Sequence, residues 1–173
     1  MSEKFSEEAF RDRVKQNYDF YQWANHTKEG DGTVRIRGFV LPPAGNIFSV
    51  VEKEDLTPSS RQDRVTRYIC VSRSSRIITT IFECKSVSEA HETLIDVVMT
   101  YMAPKLPKCE TTNLAVGDIC FGSHGDQNLS VIFARFNILS EITSATPGPT
   151  SVDEFAKAVD SLILNQYRTT QPG

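Results

Sequence analysis

The chain has 173 residues, 39% of them hydrophobic with ten phenylalanines, a net charge of −3 and a pI near 5.6. That is one domain's length, enough to bury well over half of its unfolded surface without help from a metal or disulfide. The acidic balance disfavours a dedicated nucleic-acid binder, and no apolar run approaches the roughly 18 residues of a membrane helix.

Residues 4–17 read as an N-terminal helix: Phe10, Val14 and Tyr18 recur four apart, and Glu7 and Glu8 suit the positive end of a helix dipole. Tyr18, Phe20, Tyr21 and Trp23 extend it as an aromatic cluster, which closes the open side of a sheet or anchors a partner. A turn at 28–33 leads to an alternating strand at 34–41, stopped by Pro42-Pro43, and a short strand at 46–51. The polar stretch 52–64 reads as a surface loop. Two β-branched runs, 65–72 and 77–84, flank Arg73-Ser74-Ser75-Arg76 as a hairpin. A helix at 86–101 ends ahead of Pro104 and Pro107. Strands at 116–122, 129–135 and 137–144 form a meander whose first turn is Gly125-Asp126-Gln127-Asn128, and a proline-rich connector leads into a helix at 151–167.

Two of these helices open alike. Ser86 stands three before Glu89, and Ser151 three before Glu154, the spacing of a capping box. Their apolar positions share a register: Val87, Ala90, Leu94, Val97, Val98 and Tyr101, then Val152, Phe155, Val159, Leu162 and Ile163, with Gln166 replacing the last. The implied fold is a single α+β domain over 1–173: a mostly antiparallel sheet, both capped helices on one face, and the N-terminal helix at an edge. An internal duplication of a strand–helix unit fits the pattern, with a seam at 103–113.

Cys70, Cys84, Cys109 and Cys120 match no zinc spacing and are expected as buried, reduced thiols; a Cys84–Cys109 bridge is the sterically conceivable alternative. The three histidines lack metal-ligand spacing, so neither a metal nor a cofactor is implied. The densest polar constellation is Gly117 to Asp126. A hydrolase or transferase there would use Cys120 as nucleophile with His124 and Asp126, provided a turn brought the thiol to the imidazole. The bland alternative is a hairpin turn. Asn25-His26-Thr27 and Asn128-Leu129-Ser130 are glycosylation triplets only in a secreted eukaryotic protein.

Charge is uneven along the chain. Arg61, Arg64, Arg67, Arg73 and Arg76 face Asp63 alone, a local balance of +4 in an acidic protein. All five are arginine, the cation that pairs bidentately with carboxylates. The sequence therefore points first to a non-catalytic binding protein, of inhibitor, immunity or adaptor type, whose hairpin and preceding loop (52–76) contact an acidic protein partner. Nucleic acid is disfavoured because, Tyr68 apart, no aromatics interleave the patch. The first thirty residues hold no apolar segment ending at a small-residue cleavage site, which reads as a cytoplasmic location; an exported domain relieved of its signal is the alternative.

Overall fold

The computed structural model describes residues 6–23, 32–73, 75–101, 105–123, 127–146 and 150–171. The predicted turn around Gly125-Asp126, Pro104 and the prolines of the last connector lie outside those residues. Six strands form one sheet: β1 (Ser49–Leu56), β2 (Gln62–Ser72), β3 (Ser75–Cys84), β4 (Ile119–Gly122), β5 (Ser130–Arg135) and β6 (Ile138–Ser144). The helices are α1 (Glu7–Asn17), α2 (Phe20–Trp23), α3 (Val87–Met99) and α4 (Asp153–Thr170), with a 3₁₀ turn at Cys109–Thr112. The strand order is β1-β2-β3-β6-β5-β4 and every pairing is antiparallel, so the α+β class stands.

β5 shows how the core is divided. Its run Val131-Ile132-Phe133-Ala134 is apolar throughout, and successive side chains of a strand point to opposite faces. Val131 and Phe133 join Tyr68, Cys70, Ile77, Ile81, Ile138 and Ile142 beneath Phe155, Val159 and Ile163 of α4. Ile132 and Ala134 join Ile119, Phe121 and Leu139 beneath Leu94, Ile95, Val97 and Val98 of α3. The two helices therefore lie on opposite faces of the sheet, not together on one. A strand buried on both sides needs a cover on each.

The helix starts differ as well. Ser86 Oγ accepts from Glu89 N–H at 3.1 Å, while the Glu89 carboxylate reaches Arg61 at 2.8 Å in place of closing the box. Before α4 the Ser151 hydroxyl accepts from Asp153 N–H, so the N-cap is Val152, which is fully buried and makes no side-chain cap. Packing of Val152 and its N–H···O bond to Asn128 set this start.

The segment 34–41 carries the alternation of a strand but forms no ladder. Its apolar Ile36, Phe39 and Leu41 still enter the α4-face cluster. Side chains satisfy its backbone instead. Asn137 accepts from Ile36 N–H at 2.6 Å and donates to the Ile36 and Cys84 carbonyls at 2.8 Å, and both oxygens of Glu83 accept from Gly38 N–H at 3.1 Å. Gly38 has φ +70°, which turns the chain out of any regular strand.

The predicted loop 52–64 is also corrected. β1 continues through Glu52-Lys53-Glu54-Asp55 to Leu56, paired with β2 after a bulge at Val51, so the connection shrinks to 57–61. α1 lies against α3, not at a sheet edge. Glu92 of α3 takes Lys15 at 2.8 Å and Arg11 at 2.5 Å, and Arg11 also pairs with Asp96. Tyr18 and Trp23 then pack edge-on and tilted onto Phe121, closing the α3-face cluster.

Candidate interaction surface

The Gly117–Asp126 stretch does not assemble a nucleophile. Cys120 is bonded to Cys109, with Cα atoms 5.3 Å apart, so it carries no thiol; His124 and Asp126 lie outside the described residues. The bridge also replaces both readings of the cysteines, four free thiols or a Cys84–Cys109 link. It forms because Lys108 pairs with Phe121 as an isolated bridge, bringing the 3₁₀ turn alongside β4. Cys70 and Cys84 remain free and fully buried, and burial pushes both thiols up to about 12.

A pocket of about 340 Å³ opens at this β4 edge, lined by Trp23, Lys108, Asp118 and Cys120 among others. Its acids are already engaged. Asp19 pairs with Lys108 at 3.6 Å. Asp118 accepts from Arg135 at 3.2 Å and from Phe136 N–H at 2.9 Å, while Arg135 forks onto Asp160 with two 2.8 Å bonds. This buried triad ties β4, the β5–β6 turn and α4 together, a structural arrangement of charges. The Asn128 triplet is closed to modification in the folded chain: Asn128 is 2% exposed, and its amide donates to Asp153 at 2.9 Å. Asn25 lies outside the described residues.

The five arginines do not make one surface. Arg64 faces the α4 side, pairing with Glu83 at 3.0 Å and donating to the Phe39 carbonyl. Arg61 sits beside α3 on Glu89 and Asp96. Arg67 and Arg76 point to the α3 face of β2 and β3, paired with Glu54 at 2.6 Å and Glu52 at 3.5 Å of β1. Arg73, at φ +54° in the β2–β3 turn, is the most open. Its side chain is 81% exposed, 3.5 Å from Glu154. Arg67 and Arg76 are thus the two brought to one face, while Arg73 at the turn leans towards α4.

The region around Arg67 and Arg76 is a bare quadrant of the sheet. On the α4 face, the 34–48 segment covers β2 and β3 through Ile36, Phe39, Leu41 and Phe48. On the α3 face, α3 packs over β3, β5 and β6. The register places Ile69 and Val71 of β2 and Ile78 of β3 on that same face, beyond the reach of α3, with Val71 directly opposite Arg76. Among the described residues nothing packs over them: Val71 is 38% exposed, Ile69 and Ile78 are half-buried, and the bulged Val51 beside them is 52% exposed. An open groove of about 440 Å³ borders the quadrant along α3, with Leu56, Val65, Phe82 and Val97 in its walls and Asp96 and Glu141 at the rim. Tyr101 donates to Glu141 at 2.9 Å there; burial first, and then that carboxylate, push its hydroxyl up to about 12.

The apolar part of this surface was hidden in the sequence because Ile69, Val71 and Ile78 stand in runs that read as core. Only pairing register separates them from Tyr68, Cys70 and Ile77 one residue away. No protein-family model, curated protein or solved structure matches the chain. No described helix is long and apolar enough to cross a membrane.

Proposed function

We propose that this is a non-catalytic binding protein whose contact surface is the bare quadrant of β1–β3 with the Arg-bearing turn at its end. The observation that carries this reading is the juxtaposition of exposed Val71 and half-buried Ile69 and Ile78 with two arginines, Arg67 and Arg76, on one open sheet face. Arginine among apolar residues is the composition of an interface centre. The exposed pairs of Arg73 and Arg76 with Glu154 and Glu52 are worth little in water, so a partner's carboxylates can take their place. The partner is accordingly a protein with an acidic surface. Affinity capture from the source lysate tests this, using wild type beside Arg73→Glu/Arg76→Glu. A stoichiometric protein held by wild type and lost with the variant is the expected result. Equal capture by both would remove the surface from consideration.

The Cys109–Cys120 bridge favours a second point, that the protein matures in an oxidising compartment and not in the cytoplasm, since structural disulfides persist where thiols are not kept reduced. Alkylation of freshly lysed source cells under denaturing conditions, followed by mass measurement, decides it. Modification at two cysteines supports the oxidised state; modification at all four refutes it.

A further inference from the structure

The six strands are arranged as two three-stranded meanders, β1-β2-β3 and β4-β5-β6, joined through their third strands by the antiparallel β3–β6 pair. Antiparallel neighbours are related by a two-fold axis perpendicular to the sheet, and that rotation carries β6, β5 and β4 onto β3, β2 and β1. It leaves the two faces where they are. α3 follows the first meander and lies over β3, β6 and β5. The same rotation puts its counterpart on the same face, over β6, β3 and β2. The helix that follows the second meander, α4, has gone to the other face. The bare quadrant is therefore the place on the sheet where the strand symmetry provides a helix site and the described residues supply no helix.

We propose that this place receives a single amphipathic helix from the partner, with acidic residues on the flanks of its apolar stripe. The inference rests on the binding reading above and names the chemistry of the partner. The uncovered rows run from Arg67 to Val71, about 13 Å at 3.3 Å per residue, the length of about 9 helical residues. Three strands about 4.8 Å apart give a footprint of about 190 Å², well short of the roughly 800 Å² per partner of a standard stable interface, which weighs against a second copy of this chain face to face. Strand addition is disfavoured at the neighbouring edge, because β1 carries a bulge at Val51 and four consecutive charges from Glu52 to Asp55.

Charge selects the flanks. Arg67 and Arg76 stand in β2 and β3, within the footprint; their present partners, Glu54 and Glu52, stand at its outer edge on β1. A helix laid over these rows desolvates both guanidinium groups, and desolvated charges are tolerated only when paired and hydrogen-bonded. Arg67 and Arg76 are about 14 Å apart on the diagonal, four residues along the strands and one strand across. Carboxylates two to three helical turns apart meet that spacing. The α3 flank offers the groove between Val65, Phe82 and Val97 as the seat for one edge of the apolar stripe.

The test is selection on the full chain from a display library of about 18-residue peptides, about 27 Å long as helices. Its sublibraries carry helically spaced apolar residues with acidic flanks, the same with basic flanks, and a scrambled acidic pattern. Circular dichroism first checks that Ile69→Asp/Ile78→Asp and Arg67→Glu/Arg76→Glu remain folded. The expected result is enrichment of acidic, helically patterned peptides whose binding falls at least about tenfold with either double variant, the scale of a lost hot spot. Enrichment of extended or basic peptides, binding that ignores both variants, or no enrichment at all would overturn the proposal. So would sedimentation showing a wild-type dimer that Ile69→Asp/Ile78→Asp dissociates, because the occupant is then a second copy. A captured native partner that depends on Arg73 and Arg76 but presents no helix would sink the helix inference alone and leave the binding reading standing.

Discussion

Removing the Cys109–Cys120 bridge should cost a measurable part of the fold's stability, and the loop it closes sets the size. The cysteines are 11 residues apart. Loop-closure entropy for that separation, about 9 cal/mol/K, corresponds to about 2.8 kcal/mol at 25 °C. The variant of choice is Cys109→Ala/Cys120→Ala, because Cys109 is fully buried and a serine hydroxyl there would add an unrelated penalty. With a urea m-value near 2 kcal/mol/M the midpoint should fall by about 1.4 M, and Tm by roughly 6–11 °C for a chain of this size. Wild type unfolded in the presence of a dithiol should then coincide with the variant. The loss has a location too: Gly122 N–H donates to the Pro107 carbonyl, and Lys108 bridges to Phe121, so hydrogen exchange should accelerate first along β4. A loss below about 0.5 kcal/mol, or a reduced wild type as stable as the oxidised one, would refute the view that the bridge fastens the 108–120 segment to the sheet.

Three further outcomes follow from buried groups. Arg135→Met leaves Asp118 and Asp160 buried without their shared cation and should destabilise by about 3–5 kcal/mol in urea unfolding; adding Asp118→Asn and Asp160→Asn should recover part of that, and no recovery would mean that packing, not charge, dominates. Cys70 and Cys84, with thiols pushed up to about 12 by burial, should resist iodoacetamide in the native oxidised protein and react only after unfolding; rapid native labelling of either would contradict their burial. Burial tends to raise the Glu92 carboxyl, but hydrogen bonds from Lys15 and Arg11 outweigh it and hold it below its usual 4.5. A depressed folded-state value contributes stability at pH above 4.5 that is lost as the pH falls through the folded value. Urea unfolding of Glu92→Gln across the acid limb should show a shallower loss than wild type; an unchanged slope would remove Glu92 from the acid response.

Periodicity made most of the elements legible. The stripes of α3 and α4 and the runs of β2, β3, β5 and β6 each bury enough apolar surface for the pattern to survive in one dimension. β1 was not legible, because Glu52-Lys53-Glu54-Asp55 carries no apolar alternation; an edge strand exposed on both faces is held by its ladder and reads as a loop. The 34–41 segment failed in the opposite direction. It alternates like a strand, yet the groups that hold it, Asn137 and Glu83, are remote in the chain. The helix placement has its signal in β5: the unbroken apolar Val131-Ile132-Phe133-Ala134 requires a covered face on each side. The bridge had none, since four cysteines offer six possible single bridges and only the return of Lys108 along β4 selects one.

The arginine cluster shows how a strand redistributes charge that looks concentrated in sequence. Arg64 and Arg67 are three apart, an odd number, so the ladder sends them to opposite faces, one to Glu83 and the other to Glu54. The local balance of +4 is then answered by carboxylates from β1, β3, α3 and α4, none of them nearby in the arginine run. What reaches the open face is a near-neutral lattice of paired ions around Ile69, Val71 and Ile78. Such a lattice adds little long-range attraction, and a partner gains little by exchanging one carboxylate for another. It does penalise any partner that covers the arginines without offering carboxylates in register, since each desolvated and unpaired guanidinium is costly. On this face the aliphatic side chains therefore supply affinity, and the arginines supply discrimination.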